Sequence, residues 1–216
     1  MHQTRSLRRC SIAIALAMAL LAWPAISDAQ LGGLLPTPST STTPTVTGQA
    51  TGVQVVVLGF LGTATTTALA STGISGTNSE SDVGQVTGSI PSLLDAEALN
   101  AVTYSYPDQV DSQASLASLG LTVAGVSISA DSVVAQASQV LGAAGSGSSY
   151  IDNLAINGVP VTVTGAPNQT IPIPGGQLVI NEQTISSTGS AVVNAIHVVV
   201  NGVADVVIAS ATAGIS

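Results

Sequence analysis

His197 is the residue of this chain best suited to chemistry. A serine-hydrolase triad needs a histidine base, an acid that orients it and a hydroxyl nucleophile within reach. His197 lies within Ala195-Ile-His-Val-Val199, which reads as the middle of a strand. No Gly-x-Ser-x-Gly nucleophile elbow occurs anywhere in the chain. His197 therefore reads as a structural histidine. Standing alone, with no cysteine downstream of Cys10, it makes a poor transition-metal site.

The carboxylates supply the other candidates. Asp95 and Glu97 stand two apart, so on a strand they share one face with side-chain origins about 7 Å apart, a spacing a glycosidase pair could use. Only Tyr104 and Tyr106 are near enough in sequence to stack on sugar, and a solvated strand edge explains the pair better. Asp108 with Asp111, or Glu80 with Asp82, could offer loop oxygens to Ca2+. A hard cation wants six to eight oxygens, and neither pair fits the spaced acidic loop that supplies them. Asn168-Gln169-Thr170 matches the acceptor pattern for N-glycosylation. No catalytic, cofactor or metal residue is assigned, and the expectation is that the protein is not an enzyme.

The N-terminus shapes everything downstream. Arg5, Arg8 and Arg9 precede an apolar stretch, Ser11–Trp23, that Pro24 breaks. Small residues at Ser27 and Ala29 place a signal-peptidase cut before Gln30. Residues 1–29 are thus expected to be a secretory signal and the protein to be exported, to the cell surface or beyond. These three arginines are the only basic residues among the 216, whereas all eleven Asp and Glu except Asp28 lie downstream. Without cations the mature chain cannot displace the counterions of nucleic acid or hold an anionic membrane surface. Phosphoryl transfer would lack its usual clamp. Disulfides are excluded too, and the carboxylates are expected to find no basic partners. Downstream of the signal no apolar run reaches 18 residues, so a terminal membrane anchor is not expected.

The elements that would position these residues read as β. Residues 30–49 form a linker, rich in Pro, Ser and Thr from Pro36 to Thr47, and a single domain is expected over 50–216. Thr51–Phe60 and Thr63–Leu69 have strand composition, Ser75–Gly88 reads as loop, and Ala96–Tyr106 alternates until Pro107. Asn157-Gly158 and Asn201-Gly202 sit between apolar strands, where two-residue hairpin turns need positive φ at both positions. The second would pair Val200 with Val203 and His197 with Val206. Pro174-Gly175-Gly176 marks a third turn. Asp131–Gly142 leans towards helix on pattern, with a capping aspartate and apolar residues at 133, 134, 137, 140 and 141. The fold expected is all-β, an antiparallel sandwich or distorted barrel with hairpin connections.

Residues 50–216 resemble the choice-of-anchor P family of exported bacterial proteins. The resemblance rests on Asn157-Gly158, Gly165-Ala-Pro-Asn-Gln-Thr170, Leu178-Val-Ile-Asn-Glu-Gln183, Val193-Asn-Ala-Ile-His-Val198 and Asp205-Val-Val-Ile-Ala-Ser-Ala211. It implies an all-β extracellular domain and tips Asp131–Gly142 towards strand. It brings no activity with it. The leading functional expectation is a non-enzymatic secreted or surface protein with a structural, adhesive or matrix role. The alternative is a carbohydrate- or Ca2+-binding module, and a hydrolase stands third. The partners left open are the cell envelope or its glycans, and further copies of the chain through exposed strand edges. Unpaired acidity has one direct consequence: added NaCl or CaCl2 screens the repulsion and should raise the melting temperature. A melting temperature that ignores both salts would refute this.

Overall fold

Runs of Val, Ile, Thr and Ala suit a pleated, half-buried backbone, and strands dominate the result. The computed structural model describes residues 43–58, 63–187 and 189–216. The expected signal peptide, the spacer as far as residue 42, and Phe60 lie outside the described residues. Among the described residues there are thirteen strands and no helix. In chain order they are β1 (Val46–Leu58), β2 (Ala64–Ser71), β3 (Ser79–Ile90), β4 (Leu94–Ser105), β5 (Gln109–Val123), β6 (Val126–Val140), β7 (Ser146–Asp152), β8 (Ala155–Ile156), β9 (Val159–Pro160), β10 (Gln169–Ile173), β11 (Gly176–Ile185), β12 (Ser190–Val200) and β13 (Ala204–Ile215). They form two antiparallel sheets packed as a sandwich. One sheet has six strands in the order β10-β11-β12-β13-β1-β2. The other has seven, in the order β3-β4-β5-β6-β8-β9, with β7 also pairing with β6.

The core between the sheets is aliphatic. Val53, Val55, Ile180, Ile196 and Ile208 fill it from the six-stranded sheet, and Leu99, Leu121, Ile128 and Val133 from the other. Among the described residues no aromatic side chain is buried. Small residues let the layers approach closely. A Cβ built on Gly48 would lie 2.5 Å from Thr103 Cγ2, so only glycine fits there. Polar contacts between the layers include Ser112 Oγ, which donates to the Thr212 carbonyl at 2.7 Å, and Gln183 Nε2, which donates to the Gly147 carbonyl at 3.2 Å.

Both sheets break their alternation along a transverse line. In the six-stranded sheet the line crosses Asn181, Ala195, Ala209, Gly52 and Ala70, the positions at which each ladder skips one pair. Asn181, Ala209 and Ala70 adopt left-handed backbone, with φ of 52°, 51° and 49°. Consecutive residues there face inward together, as Ala195 and Ile196 do on β12 and Ile208 and Ala209 on β13. The seven-stranded sheet does the opposite. Around Ala98 (φ 47°) and Ser118 (φ 51°) the doublets Glu97-Ala98, Ala117-Ser118 and Asp131-Ser132 face outward. The two lines face each other, since a Cβ on Gly52 would lie 3.4 Å from Leu99 Cδ2. A left-handed alanine costs about 1–2 kcal/mol. Burying one more isoleucine returns about 1.5–3 kcal/mol, enough to hold the line in place.

Three expectations need correction, and one open alternative is decided. The linker does not run to residue 49: β1 starts at Val46, which is buried and paired with Ile215. Cross-strand pairing overrides its linker-like composition. Ser75–Gly88 is not all loop, because β3 begins at Ser79; it is an edge strand, polar on both faces, with β4 as its partner. Asp131–Gly142, between helix on pattern and strand on resemblance, is strand: β6 runs through it to Val140, with Val133, Ala135 and Ala137 facing inward. The outward Asp131-Ser132 doublet shifts the alternation and makes the apolar spacing look helical. At Asn201-Gly202 the connection takes three residues rather than two: only Gly202 has positive φ (71°), and Val203 N donates to Val200 O at 3.0 Å. This is a type II turn, and it pairs Val200 with Ala204 and His197 with Val207. The expected register would have turned Val206 and Ile208 away from the core. At Asn157-Gly158 both residues have positive φ (51° and 75°), as a two-residue hairpin turn requires, and they join β8 to β9.

If the left-handed line is real strain, glycine should relieve it. Ala98→Gly is expected to leave stability unchanged or raise it by up to about 1 kcal/mol, and Ala98→Val to lower it by about 1–3 kcal/mol. Urea melts of the two variants check this, and the ordinary loss of about 1 kcal/mol for a glycine inside a strand would sink the idea.

Candidate functional site

The alternation break assembles a polar cluster on the outer face of the six-stranded sheet. Because Ala195 and Ile196 both point inward, Asn194 and His197 stand on either side of them facing out. Glu182, just past left-handed Asn181 on β11, reaches both. Its Oε2 accepts from Asn194 Nδ2 at 2.6 Å and faces His197 Nδ1 at 2.9 Å. His197 Nε2 faces Asp205 Oδ1, also at 2.9 Å. Ser210 Oγ donates to Asn194 Oδ1 at 2.7 Å and extends the chain of contacts.

With a carboxylate on each ring nitrogen, only the imidazolium can donate at both. Burial pulls the pKa of His197 down, but the hydrogen bonds and charges of Glu182 and Asp205 outweigh it and hold it above its ordinary 6.5. The expectation that the carboxylates would find no basic partner is corrected here: protonated His197 forms two ion pairs. The cluster does not have the shape of a hydrolase triad. Ser210 bonds to Asn194 rather than to the imidazole, and both nitrogens of His197 already face acids.

The remaining sequence candidates do not converge. Asp95 and Glu97 share the exposed face of β4, as their spacing requires, beside the break at Ala98. Glu80 and Asp82 alternate on edge strand β3, where Asp82 Oδ1 accepts from Asn100 Nδ2 at 3.0 Å. Asp108 lies in the turn before β5, while Asp111 sits on β5 and accepts from Gln109 Nε2 at 2.6 Å. Among the described residues no group of three or more His, Cys, Asp or Glu is placed to hold a metal ion. Asn168 is exposed in a turn, and its Oδ1 accepts from Gln183 N at 2.9 Å.

The sequence reading missed a groove on the outer face of the seven-stranded sheet. It has a volume of about 630 Å³ and crosses β4, β5, β6 and β7. Register places Tyr104, Asp111, Ser138 and Ser146 in one transverse row, and Val102, Gln113, Gln136 and Ser148 in the next. Gln136 Nε2 donates to Gln113 Oε1 at 3.0 Å, and Ser148 Oγ to Gln136 Oε1 at 3.4 Å. The signal that could have found it is the polar alternation of Gln109, Asp111, Gln113 and Ser115 along β5, matched by Gln136 and Ser138 on β6.

No family model, curated protein or solved structure matches this chain.

The His197 clasp fixes the sign of a pH effect. Its pKa is higher folded than unfolded, so its contribution to stability is complete below about pH 6.5 and is lost as pH rises through the folded value. The melting temperature should fall as pH rises above about 6.5, and His197→Gln should flatten that slope. Parallel slopes in the two proteins would rule the clasp out as its source.

Proposed function

We propose that this protein is an exported, non-enzymatic component of the cell surface or extracellular matrix, with a structural or adhesive role. One observation carries the reading. A chain that buries no aromatic among its described residues exposes Tyr104, Tyr106 and Tyr150 by 39%, 51% and 60%. All three belong to one outer face: Tyr104 and Tyr150 point outward from β4 and β7, and Tyr106 continues the β4 alternation. Exposed tyrosines beside hydroxyls and amides suit contact with a partner better than they suit solubility. The basic, apolar and small-residue segments of 1–29 support export, and the resemblance to choice-of-anchor P proteins points the same way. The clasped state of His197 supports the non-enzymatic half of the proposal.

Cells making the full-length chain, fractionated and probed with an antibody, should show it in the medium or on the surface within reach of added protease. The processed form should begin at Gln30. A full-length product confined to the cytoplasm would overturn the proposal.

A further inference from the structure

We propose that the groove across β4–β7 binds a neutral polysaccharide, without a metal ion. This rests on the reading of an exported adhesive protein and names its ligand class.

Three features of the groove point to uncharged sugar. Its volume of about 630 Å³ falls in the range of small-ligand and oligomer sites. Its polar groups are amides, hydroxyls and one carboxylate, Asp111. These donate and accept hydrogen bonds as sugar hydroxyls require. The groove lining contains no cation, and edge strand β3 alongside adds Glu80 and Asp82. An anionic polymer such as a polyuronate would meet repulsion without a compensating partner.

The geometry also supplies a floor and two stacking surfaces. The ladder Gln113–Gln136–Ser148 is already hydrogen bonded, so its amides are oriented before a ligand arrives. Tyr104 lies one row to one side of the ladder on β4, and Tyr150 one row to the other side on β7. Three strand spacings and four residues of rise separate them, on the order of 20 Å along the diagonal. A chain of several sugar units laid along that diagonal would place a C–H face on each ring and its hydroxyls over the ladder. Asp111 Oδ2 accepts from Gln109 Nε2, and an ionised carboxylate has further lone pairs with which to accept from a sugar hydroxyl.

The test uses the exported protein in native gels cast with a soluble β-glucan, an α-glucan, a galactomannan or a polyuronate, each with and without EDTA. At least one neutral gel should retard it, equally with EDTA, and the polyuronate should not. Tyr104→Ala and Gln136→Leu should each weaken retardation about tenfold or more. Tyr104→Phe should preserve it, and so should Val203→Ala, in the β12–β13 turn. Circular dichroism and melting temperature establish that each variant is folded. Migration unaffected by every neutral polymer, undiminished binding by both groove variants, loss of binding in EDTA, or retardation by the polyuronate would each overturn the proposal. A protein that reaches the surface yet ignores all neutral glycans refutes the ligand and leaves the surface role standing. A protein confined to the cytoplasm refutes the surface role whatever the gels show.

Discussion

The line of left-handed residues is the constraint on which the rest of the sandwich depends. A strand can supply a core from alternate residues only while its pleat keeps phase. Here the phase resets once in each long strand, and neighbouring strands reset together. Ala209, Asn181 and Ala70 take the strain in the six-stranded sheet; Ala98 and Ser118 take it in the other. A reset in one strand alone would expose half its apolar residues or bury half its polar ones. The shared line instead keeps the inner faces mostly apolar on both sides of the break. It also sends inward doublets from one sheet towards outward doublets of the other, so the core keeps its thickness through the break. The polar cluster around His197 follows from the same defect, because Asn194 and His197 can be outward neighbours only across an inward doublet.

Charge and aromaticity are distributed just as unevenly. The described chain has one side chain able to carry a positive charge near neutrality, His197, and it is held between two acids. Its tyrosines are kept out of the core, which valine, isoleucine, leucine and alanine fill together with a few small or amide side chains such as Thr103, Ser112 and Gln139. Such a core tolerates close approach of the sheets, as Gly48 against Thr103 shows, and frees the rings for an outer surface. The two outer faces therefore differ in character. One carries an internally satisfied ionic cluster; the other carries a polar groove with oriented amides and accessible rings.

Much of this architecture was legible in the residues. The β-branched runs and the Asn157-Gly158 turn lead to an antiparallel sandwich. What was not legible depends on partners distant in sequence. Val46 looks like spacer until Ile215 is seen opposite it. Ser79–Ile90 is too polar to read as a strand, because an edge strand on a sheet border buries almost nothing. Asp131–Val140 mimics a helix because the phase reset changes the spacing of its apolar residues, and no local signal distinguishes a reset from a turn of helix. The one-residue error at Asn201-Gly202 has the same origin: turn chemistry permits two connections, and the core selects between them. His197 was visible as the sole candidate base, but its two acids lie on β11 and β13, and only the register brings them to it. The groove stayed hidden because its members are ordinary Gln, Ser and Tyr residues spread over four strands.

Consider finally where β1 sits. It is not an edge strand but lies between β13 and β2, hydrogen bonded along both sides. Lifting β1 out of the sheet would therefore break two ladders, one to β13 and one to β2. The first strand of the fold is thus held as an interior strand is, and an exchange of β1 between copies of the chain would have to open the middle of a sheet rather than its border.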